Sequence, residues 1–217
     1  MKTKETDMQK NSNAQAYRHE LKYRIMRKAM PLFKEKGIKA VRMDDIAASL
    51  SISKRTLYEI YATKEELLLE CVKLDAYDMK KRIQDYSMTA ENEIDIVVTF
   101  FRFKFSDFDN LSPSFISDLE KYSTVKDFLR KKHEEQQEES IIFIKKCIEN
   151  GFFVPEINYN LIQDLNDSIM NSGVIAGLSG KYKLRDIFYN FFIVLLRGFC
   201  TESGLALLDR YLKKSAI

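Results

Sequence analysis

The sequence has little of what disulfide-bonded and metal-dependent proteins require. Its 217 residues include three cysteines, two histidines and no tryptophan. Because Cys71, Cys147 and Cys200 are odd in number, far apart and outside any CxxC pattern, neither a disulfide framework nor a cysteine-based zinc site is expected. The two histidines and the lack of a glycine-rich phosphate loop exclude most metal, catalytic-triad and nucleotide chemistries. The sequence predicts a protein that is not an enzyme and holds no metal or cofactor.

Glycine and proline are also scarce, with seven and three residues. Few tight turns are possible, and the Leu, Ile, Lys, Glu, Met and Ala residues favour helices, so an all-α fold is predicted. The first sixteen residues are polar and lack an apolar signal segment, which predicts a cytoplasmic chain. The most apolar stretch, 187–200, is about 14 residues long. Because roughly 20 residues are needed to span a bilayer, this stretch predicts a buried helix and no membrane contact.

Charge and aromatic residues divide the chain into two regions. Residues 18–64 hold twelve Lys or Arg and five Asp or Glu, a balance of +7, so the whole-chain charge of +3 leaves −4 elsewhere. Fourteen of the fifteen phenylalanines follow residue 99. A small basic region and a larger aromatic, mildly acidic region therefore predict two different functions. Chance clustering of solvated lysines is the alternative.

Hydrophobic periodicity sets the predicted boundaries. Residues 1–16 are a disordered polar tail, residues 17–64 a three-helix domain and residues 65–217 a larger helical domain. Helices are predicted at about 18–36, 43–50, 53–61, 63–83, 92–108, 114–121, 124–150, 159–178, 185–203 and 205–213. Residues 101–105 alternate with a period of two, as strands do, but their helical neighbours favour a helix.

The segment 42–61 has the pattern of a helix-turn-helix. Two short helices are separated by two residues, with the small Ala47 where their axes cross. Helical spacing places Leu57, Ile60 and Tyr61 on the inner side of the second helix. Its outer side carries Lys54, Arg55, Tyr58 and Glu59, with Thr56 at the edge. Because Lys and Arg are the commonest readers of guanine in the major groove, this surface predicts DNA binding.

Five short motifs follow each other at fixed spacing in this part of the chain. They are Leu32-Phe33-x-x-x-Gly37, Asp45-Ile46-Ala47, Ile52-Ser53, Thr56-Leu57-Tyr58 and Lys64-Glu65-x-Leu67. Together they resemble the DNA-binding domain of TetR/AcrR-type transcriptional regulators. The resemblance covers about the first 70 residues closely, and the remainder is similar only in length and helical layout. It implies an N-terminal helix-turn-helix domain followed by a helical domain for effector binding and dimerisation.

The resemblance also implies which residues contact DNA. Those facing the operator would be Ser53, Lys54, Arg55, Thr56 and Tyr58, with Lys64 on a phosphate. Arg42 stands where Ser or Thr usually caps the first helix of the motif, and would contact phosphate as a cation. Asp44 would act as a cap or accept from a cytosine amino group. Packing between helices for Tyr58, and a solvated capping position for Lys64, are the alternatives.

Two further positions depart from the family pattern because glycine is usual at both. Ser51 lies in the turn, where it would strain a left-handed backbone or require a different turn. Arg55 lies in the second helix of the motif, where it adds a side chain able to read guanine.

The second region predicts a dimer and a ligand cavity. Its last two long helices are too apolar for one subunit to cover easily, although burial within one monomer is the alternative. The resemblance implies a two-fold four-helix bundle. The predicted interface residues are Leu165, Ile169, Gly173, Phe188, Phe192, Leu195 and Phe199. The predicted cavity residues are Phe101, Phe105, Phe108, Tyr122, Phe128 and Phe143, with plain core positions as the alternative.

The sequence therefore predicts a homodimeric, ligand-responsive transcriptional regulator. It would act as a repressor that a small apolar or amphipathic inducer releases from a palindromic operator in double-stranded DNA. A helical interaction protein with a degenerate helix-turn-helix is the first alternative, because Ser51 and Arg42 depart from the family pattern. A helical enzyme is the second, but candidate carboxylates such as Asp164 and Asp167 have no partner for metal binding.

Overall fold

The computed structural model describes residues 2–108, 111–119 and 121–214. The regular structure of these residues is helical apart from one isolated β-bridge between Phe153 and Cys200, so the predicted all-α fold is confirmed. The helices are α1 (Lys2–Lys36), α2 (Met43–Ser49), α3 (Lys54–Ile60), α4 (Lys64–Ser87), α5 (Glu93–Phe108), α6 (Pro113–Leu119), α7 (Ser123–Glu149), α8 (Tyr159–Asn171), α9 (Val174–Leu178), α10 (Leu184–Phe199) and α11 (Glu202–Lys214).

The chain divides into two compact units. The N-terminal unit comprises Met1–Tyr77 and Leu111–Phe128, and the C-terminal unit comprises Asp78–Asn110 and Leu129–Ile217. The boundary predicted after residue 64 therefore lies further along α4. Leu67, Leu68, Cys71 and Val72 of α4 are buried in the core of the N-terminal unit, which explains why the first half of this helix belongs to that unit.

Helix α1 supplies one wall of the N-terminal core. Its buried residues Leu21, Ile25, Ala29 and Phe33 recur every four positions and form one apolar stripe. The helix ends before Gly37, which has a φ of +85°, and a Cβ at Gly37 would lie only 2.8 Å from the Cβ of Ser114. Gly37 therefore allows both the left-handed backbone and the close approach of α6.

The start of α1 differs from the predicted disordered tail. The helix begins at Lys2, so residues 2–16 extend it before the apolar stripe. This segment contains no glycine or proline, and its Lys, Glu, Met, Gln and Ala residues are good helix formers. Polarity alone indicated a tail, whereas helix propensity and the attachment to a packed helix favour continuation.

In the C-terminal unit, α5 contacts both α10 and α11. Residues 101–105 lie inside α5, so the helical interpretation of their alternating pattern is confirmed. The predicted helix 159–178 is interrupted, because Ser172 ends α8 and Gly173 has a φ of +75°. The predicted helix 185–203 stops at Phe199, because Cys200 has an extended backbone and pairs with Phe153.

All three cysteines are buried and none forms a disulfide. Burial raises the pKa of Cys147 to about 12 and that of Cys200 to about 11, and it also raises the pKa of Cys71. Because the thiolate is the reactive form, these thiols behave as core side chains at neutral pH. No helix within the described residues is long and apolar enough to cross a membrane.

Candidate nucleic-acid interface

The turn between α2 and α3 is tight and hydrogen-bonded. Ser51 has a φ of +54°, so of the two outcomes left open for this position the chain adopts the left-handed backbone. The N–H of Ser51 donates to the carbonyl of Ala48 at 3.1 Å, and the N–H of Ile52 donates to that of Ala47 at 3.1 Å. The turn is therefore formed with serine in the place usually held by glycine, at the cost of some backbone strain.

The inner side of the motif is buried as the helical spacing predicted. Ile46 and Ala47 of α2 and Leu57 and Ile60 of α3 are at most 9% exposed, and Tyr61 is 2% exposed. All five belong to the same core cluster as the apolar stripe of α1. This packing fixes which side of α3 faces outward.

The outer side of α3 carries Lys54, Arg55, Tyr58 and Glu59, all of which are exposed. Ser53 caps the helix, since its Oγ accepts the Thr56 N–H at 3.0 Å and lies 2.8 Å from the Thr56 hydroxyl. The predicted operator-facing residues thus share one end and one side of α3. The hydroxyls of Ser53 and Thr56 are already hydrogen-bonded to each other. The long side chains of Lys54, Arg55 and Tyr58 are therefore the most available for contact with DNA.

Each cation at the start of α3 has a carboxylate partner. Lys54 Nζ lies 3.0 Å from Asp44 Oδ2, and Arg55 Nε lies 2.8 Å from Glu59 Oε1. Hydrogen bonding to Asp44, together with the charge of that carboxylate, raises the pKa of Lys54. Lys54 Nζ also lies 5.9 Å from the centre of the Tyr58 ring. Asp44 is therefore an ion-pair partner, a role that the sequence analysis did not assign to it.

Arg42 occupies the N-cap position of α2 without capping it through its side chain. The Arg42 N–H instead donates to Asp45 Oδ2 at 3.0 Å, so the carboxylate three residues later supplies the local hydrogen bond. The Arg42 side chain is exposed. Its contact with phosphate is a prediction that this geometry permits.

Lys64 has a different environment from the one that the resemblance implied. Its Nζ donates to the carbonyls of Ile38 at 2.8 Å, Val41 at 3.0 Å and Lys39 at 3.4 Å. An ammonium group has three N–H donors, so these three carbonyls account for all of them. Desolvation lowers the pKa of Lys64. The geometry supports a role in holding the α1–α2 loop, and phosphate binding by Lys64 is a prediction that competes with it.

Asp118 of α6 holds the same loop from another element. Asp118 Oδ2 accepts the Lys39 N–H at 2.8 Å, and Oδ1 accepts from Lys121 Nζ at 2.9 Å. The hydrogen bond from the Lys39 N–H lowers the pKa of Asp118 most, and the bond from Lys121 lowers it further. The Asp118 side chain is buried. The sequence analysis missed this residue, since no local pattern relates position 118 to position 39.

The aromatic residues predicted to line a cavity lie in different cores. Phe101 and Phe105 do line a cavity in the C-terminal unit, and Phe108 stacks on Phe188 with ring centres 4.5 Å apart. Tyr122 and Phe128 pack instead against the core of the N-terminal unit, and Phe143 packs against the same core of the C-terminal unit as Phe101 but does not line the cavity. Helical periodicity identified these residues as apolar but could not tell which core each one joins.

The cavity itself is small and almost entirely apolar. It is lined by Val98, Phe101, Phe105, Tyr189, Phe192, Ile193, Leu196 and Leu212. Its volume is about 10 Å³, enough for about one water molecule, whereas sites for drug-sized ligands measure roughly 300–1,000 Å³. The rings of Phe101 and Phe192 lie 4.7 Å apart and close the space between α5 and α10.

The residues predicted for the dimer interface fall into two groups, one exposed and one packed within the subunit. Leu165 and Ile169 of α8 are exposed, by 50% and 37%, as an uncovered interface requires. Phe192 packs on Phe101, and Phe199 packs on Phe153 and Tyr159 within the same subunit. Phe188 stacks on Phe108, Leu195 is half-buried and Gly173 is exposed. The outward side of α10 carries Val194, which is 68% exposed and was not among the predicted residues.

Residues 25–71 match the family model for bacterial regulatory proteins of the tetR family. No curated protein is a significant sequence match. A proposed transcriptional regulator from Saccharomonospora viridis, solved in complex with choline, is 19% identical with a TM-score of 0.63, over 80% of this chain and 95% of that one. A TetR-family transcriptional regulator from Marinobacter aquaeolei is 20% identical with a TM-score of 0.60, over 88% and 98%. One from Pectobacterium atrosepticum is 22% identical with a TM-score of 0.59, over 86% and 97%. These likenesses show a shared fold.

Proposed function

We propose that this chain, which carries the DNA-binding domain of the tetR family of bacterial regulatory proteins, is a homodimeric repressor of transcription. It binds a palindromic operator through α3 and leaves it when a small apolar or amphipathic ligand binds the C-terminal unit. The observation that carries this proposal is the outer side of α3, where Lys54, Arg55 and Tyr58 are exposed beside a capped helix N-terminus. Side chains near the start of the second helix are those that reach base edges in a helix-turn-helix.

The first alternative is an interaction protein whose helix-turn-helix no longer binds DNA. It rested on two departures from the family pattern, and the structure gives each a local solution. Ser51 adopts the left-handed backbone and keeps the turn hydrogen bonds, and the Arg42 N–H is bonded to Asp45. Both findings support an intact motif. The second alternative, a helical enzyme, is disfavoured because the family consists of DNA-binding regulators.

The uncovered apolar surface of the C-terminal unit supports the homodimer. Leu161, Leu165 and Ile169 follow each other at intervals of four along α8 and are 37% to 53% exposed. Val174 and Leu178 of α9, which contacts both α8 and α10, are also exposed. A second copy of this surface would bury these side chains, and a two-fold interface of standard size buries about 1,600 Å² in total.

The lining of the cavity supports an apolar inducer. Among the eight lining residues, Tyr189 alone has a polar group on its side chain. An ionised ligand group inside the cavity would therefore lose its hydration without gaining an opposite charge, which is costly. Because the cavity now has room for about one water molecule, ligand binding requires the aromatic side chains of α5 and α10 to move apart.

Helix α4 supports a route from ligand to DNA, because it runs without interruption from Lys64 to Ser87 and so belongs to both units. A tilt of α4 would change the spacing of the two recognition helices of a dimer, which must match about 34–36 Å on DNA. The inducer should then weaken binding to a full palindrome far more than to a half-site, and DNA should weaken ligand binding by the same factor. Equal weakening of full-site and half-site binding would exclude this route.

A gel-shift titration with the DNA upstream of the protein's own gene tests the proposed function. Binding should weaken steeply with salt, because phosphate contacts release counterions. Lys54→Ala should weaken binding, whereas Lys73→Ala removes another exposed cation on α4, also paired with a carboxylate, and should not. A folded protein that shifts neither this DNA nor a random-sequence duplex would refute the proposal.

A further inference from the structure

The helix-turn-helix itself has no net charge. Residues 42–63 contain Arg42, Lys54 and Arg55 and also Asp44, Asp45 and Glu59, three cations and three carboxylates. The +7 balance of residues 18–64 therefore comes from α1, from Lys39 and from Lys64. General attraction to phosphates must arise mainly outside the motif, since sequence-independent affinity follows the number of cations near the backbone.

Two of the three carboxylates lie beside the two cations that start α3. Asp44 reaches Lys54 from α2, and Glu59 reaches Arg55 from one turn further along α3, at 3.0 Å and 2.8 Å. The third, Asp45, accepts the Arg42 N–H and has a local capping role. Asp44 and Glu59 therefore stand on the surface that would meet the bases.

All four side chains are open to an approaching duplex. The exposed fractions are 62% for Lys54, 55% for Asp44, 88% for Arg55 and 59% for Glu59. Exposed ion pairs contribute little to stability because water and salt screen them. The partners can therefore separate when another polar surface replaces the bond.

A G·C base pair can replace, for the cation and for the carboxylate of each ion pair, the hydrogen bond that they lose on separating. Its guanine presents the O6 and N7 acceptors that suit Arg or Lys, and its cytosine presents the N4 amino donor that suits Asp or Glu. A phosphate can satisfy the cation, but the carboxylate is then left near the negative backbone without a donor. An A·T pair offers the adenine N6 amino group to the carboxylate but lacks the adjacent O6 and N7 acceptors that guanine offers to the cation. A G·C pair therefore compensates both members of an ion pair better than a phosphate or an A·T pair does.

We propose that Glu59 and Asp44 are specificity-determining residues, which make Arg55 and Lys54 bind G·C pairs of the operator in preference to phosphates or other bases. This inference rests on the proposed function as a DNA-binding regulator. Each carboxylate repels random-sequence DNA and accepts from cytosine at the operator. Loss of a carboxylate should thus strengthen binding to random DNA while weakening the preference for the operator.

The test begins with the full-length wild-type protein and a pool of random-sequence duplexes. Repeated selection identifies the preferred sequence, and fluorescence anisotropy then gives the dissociation constants for that duplex and for a random one. The specificity ratio is the dissociation constant for the random duplex divided by that for the preferred duplex. Glu59→Gln should reduce this ratio by roughly five- to hundredfold, with the loss concentrated at one base position in each half-site. Asp44→Asn should do the same at a different position and provides a second variant if Glu59→Gln does not fold.

Glu70→Gln is the control, because Glu70 is a partly exposed carboxylate paired with Lys73 on α4, outside the motif. It should leave the ratio at the wild-type value. The inference is overturned if wild type selects a sequence but both motif variants keep its ratio, or lose affinity equally for all duplexes. If wild type binds no duplex, the proposed function fails, and the inference fails with it. If wild type selects a sequence, the proposed function stands, and the variants test the inference alone.

Discussion

Replacing Lys64 by methionine separates the two roles open to this residue. The substitution keeps most of the apolar stem and removes the three N–H groups that bond to the carbonyls of Ile38, Lys39 and Val41. A hydrogen bond to a charged group contributes about 1.5–3 kcal/mol. Because water can partly replace the donor at this half-buried site, we expect a loss of about 2–3 kcal/mol. For a chain of this size that loss lowers the melting temperature by about 4–12 °C.

Differential scanning fluorimetry without DNA measures this loss, with Lys28→Met, an exposed lysine of α1, as the control that should melt like wild type. The salt dependence of binding to a random duplex gives the second measurement. If Lys64 binds a phosphate, its replacement should change the log–log slope by about 0.9, the value for one phosphate that the protein no longer neutralises. An unchanged melting temperature together with a reduced slope would refute the loop-holding role and make Lys64 a phosphate ligand.

The remaining predictions concern the turn, the loop and the dimer surface. Ser51→Gly should raise stability by about 0.5–1 kcal/mol, since glycine adopts a left-handed backbone without strain, whereas Ser51→Ala should not; thermal melting of both compares them. Asp118→Ala should cost about 1–3 kcal/mol at pH 7. Because its folded pKa is lowered, the wild-type advantage should disappear as the pH falls below about 4, which denaturation at several pH values would show and a pH-independent difference would contradict. Val194→Glu should give a monomer in sedimentation, and Ile142→Glu, equally exposed on α7, should leave the dimer intact.

The helix-turn-helix could be predicted residue by residue because its determinants are local. The three- and four-residue spacing of Leu57, Ile60 and Tyr61 fixes the buried side of α3, and the opposite side follows from it. The left-handed backbone at Ser51 was one of two outcomes that the resemblance suggested, because glycine usually holds this turn position. The ion pairs of Lys54 and Arg55 were not foreseen, although the Arg55–Glu59 spacing of four residues is a recognisable signal.

The sites in the C-terminal unit depend on contacts between distant residues and could not be predicted as well. Phe192 was expected at the dimer interface, but its ring packs on Phe101 within the subunit. Phe128 was expected in the cavity but joins the core of the N-terminal unit. Apolar periodicity shows that such a side chain will be buried, whereas its neighbour is decided by the tertiary arrangement. Gly173 carried an unused signal, since glycine with a positive φ commonly ends a helix.

Selection from a random duplex pool with wild type and Arg55→Ala tests the central claim most directly, because the claim is that α3 reads bases. Wild type should enrich a palindromic sequence, and Arg55→Ala should enrich the same sequence without a preference at one base position in each half. The affinity of Arg55→Ala for random DNA should fall by less than its affinity for the sequence that wild type selects, because the unpaired Glu59 repels both duplexes. Failure of the folded, dimeric wild-type protein to enrich any sequence, or an Arg55→Ala variant that selects the complete wild-type sequence, would contradict the account.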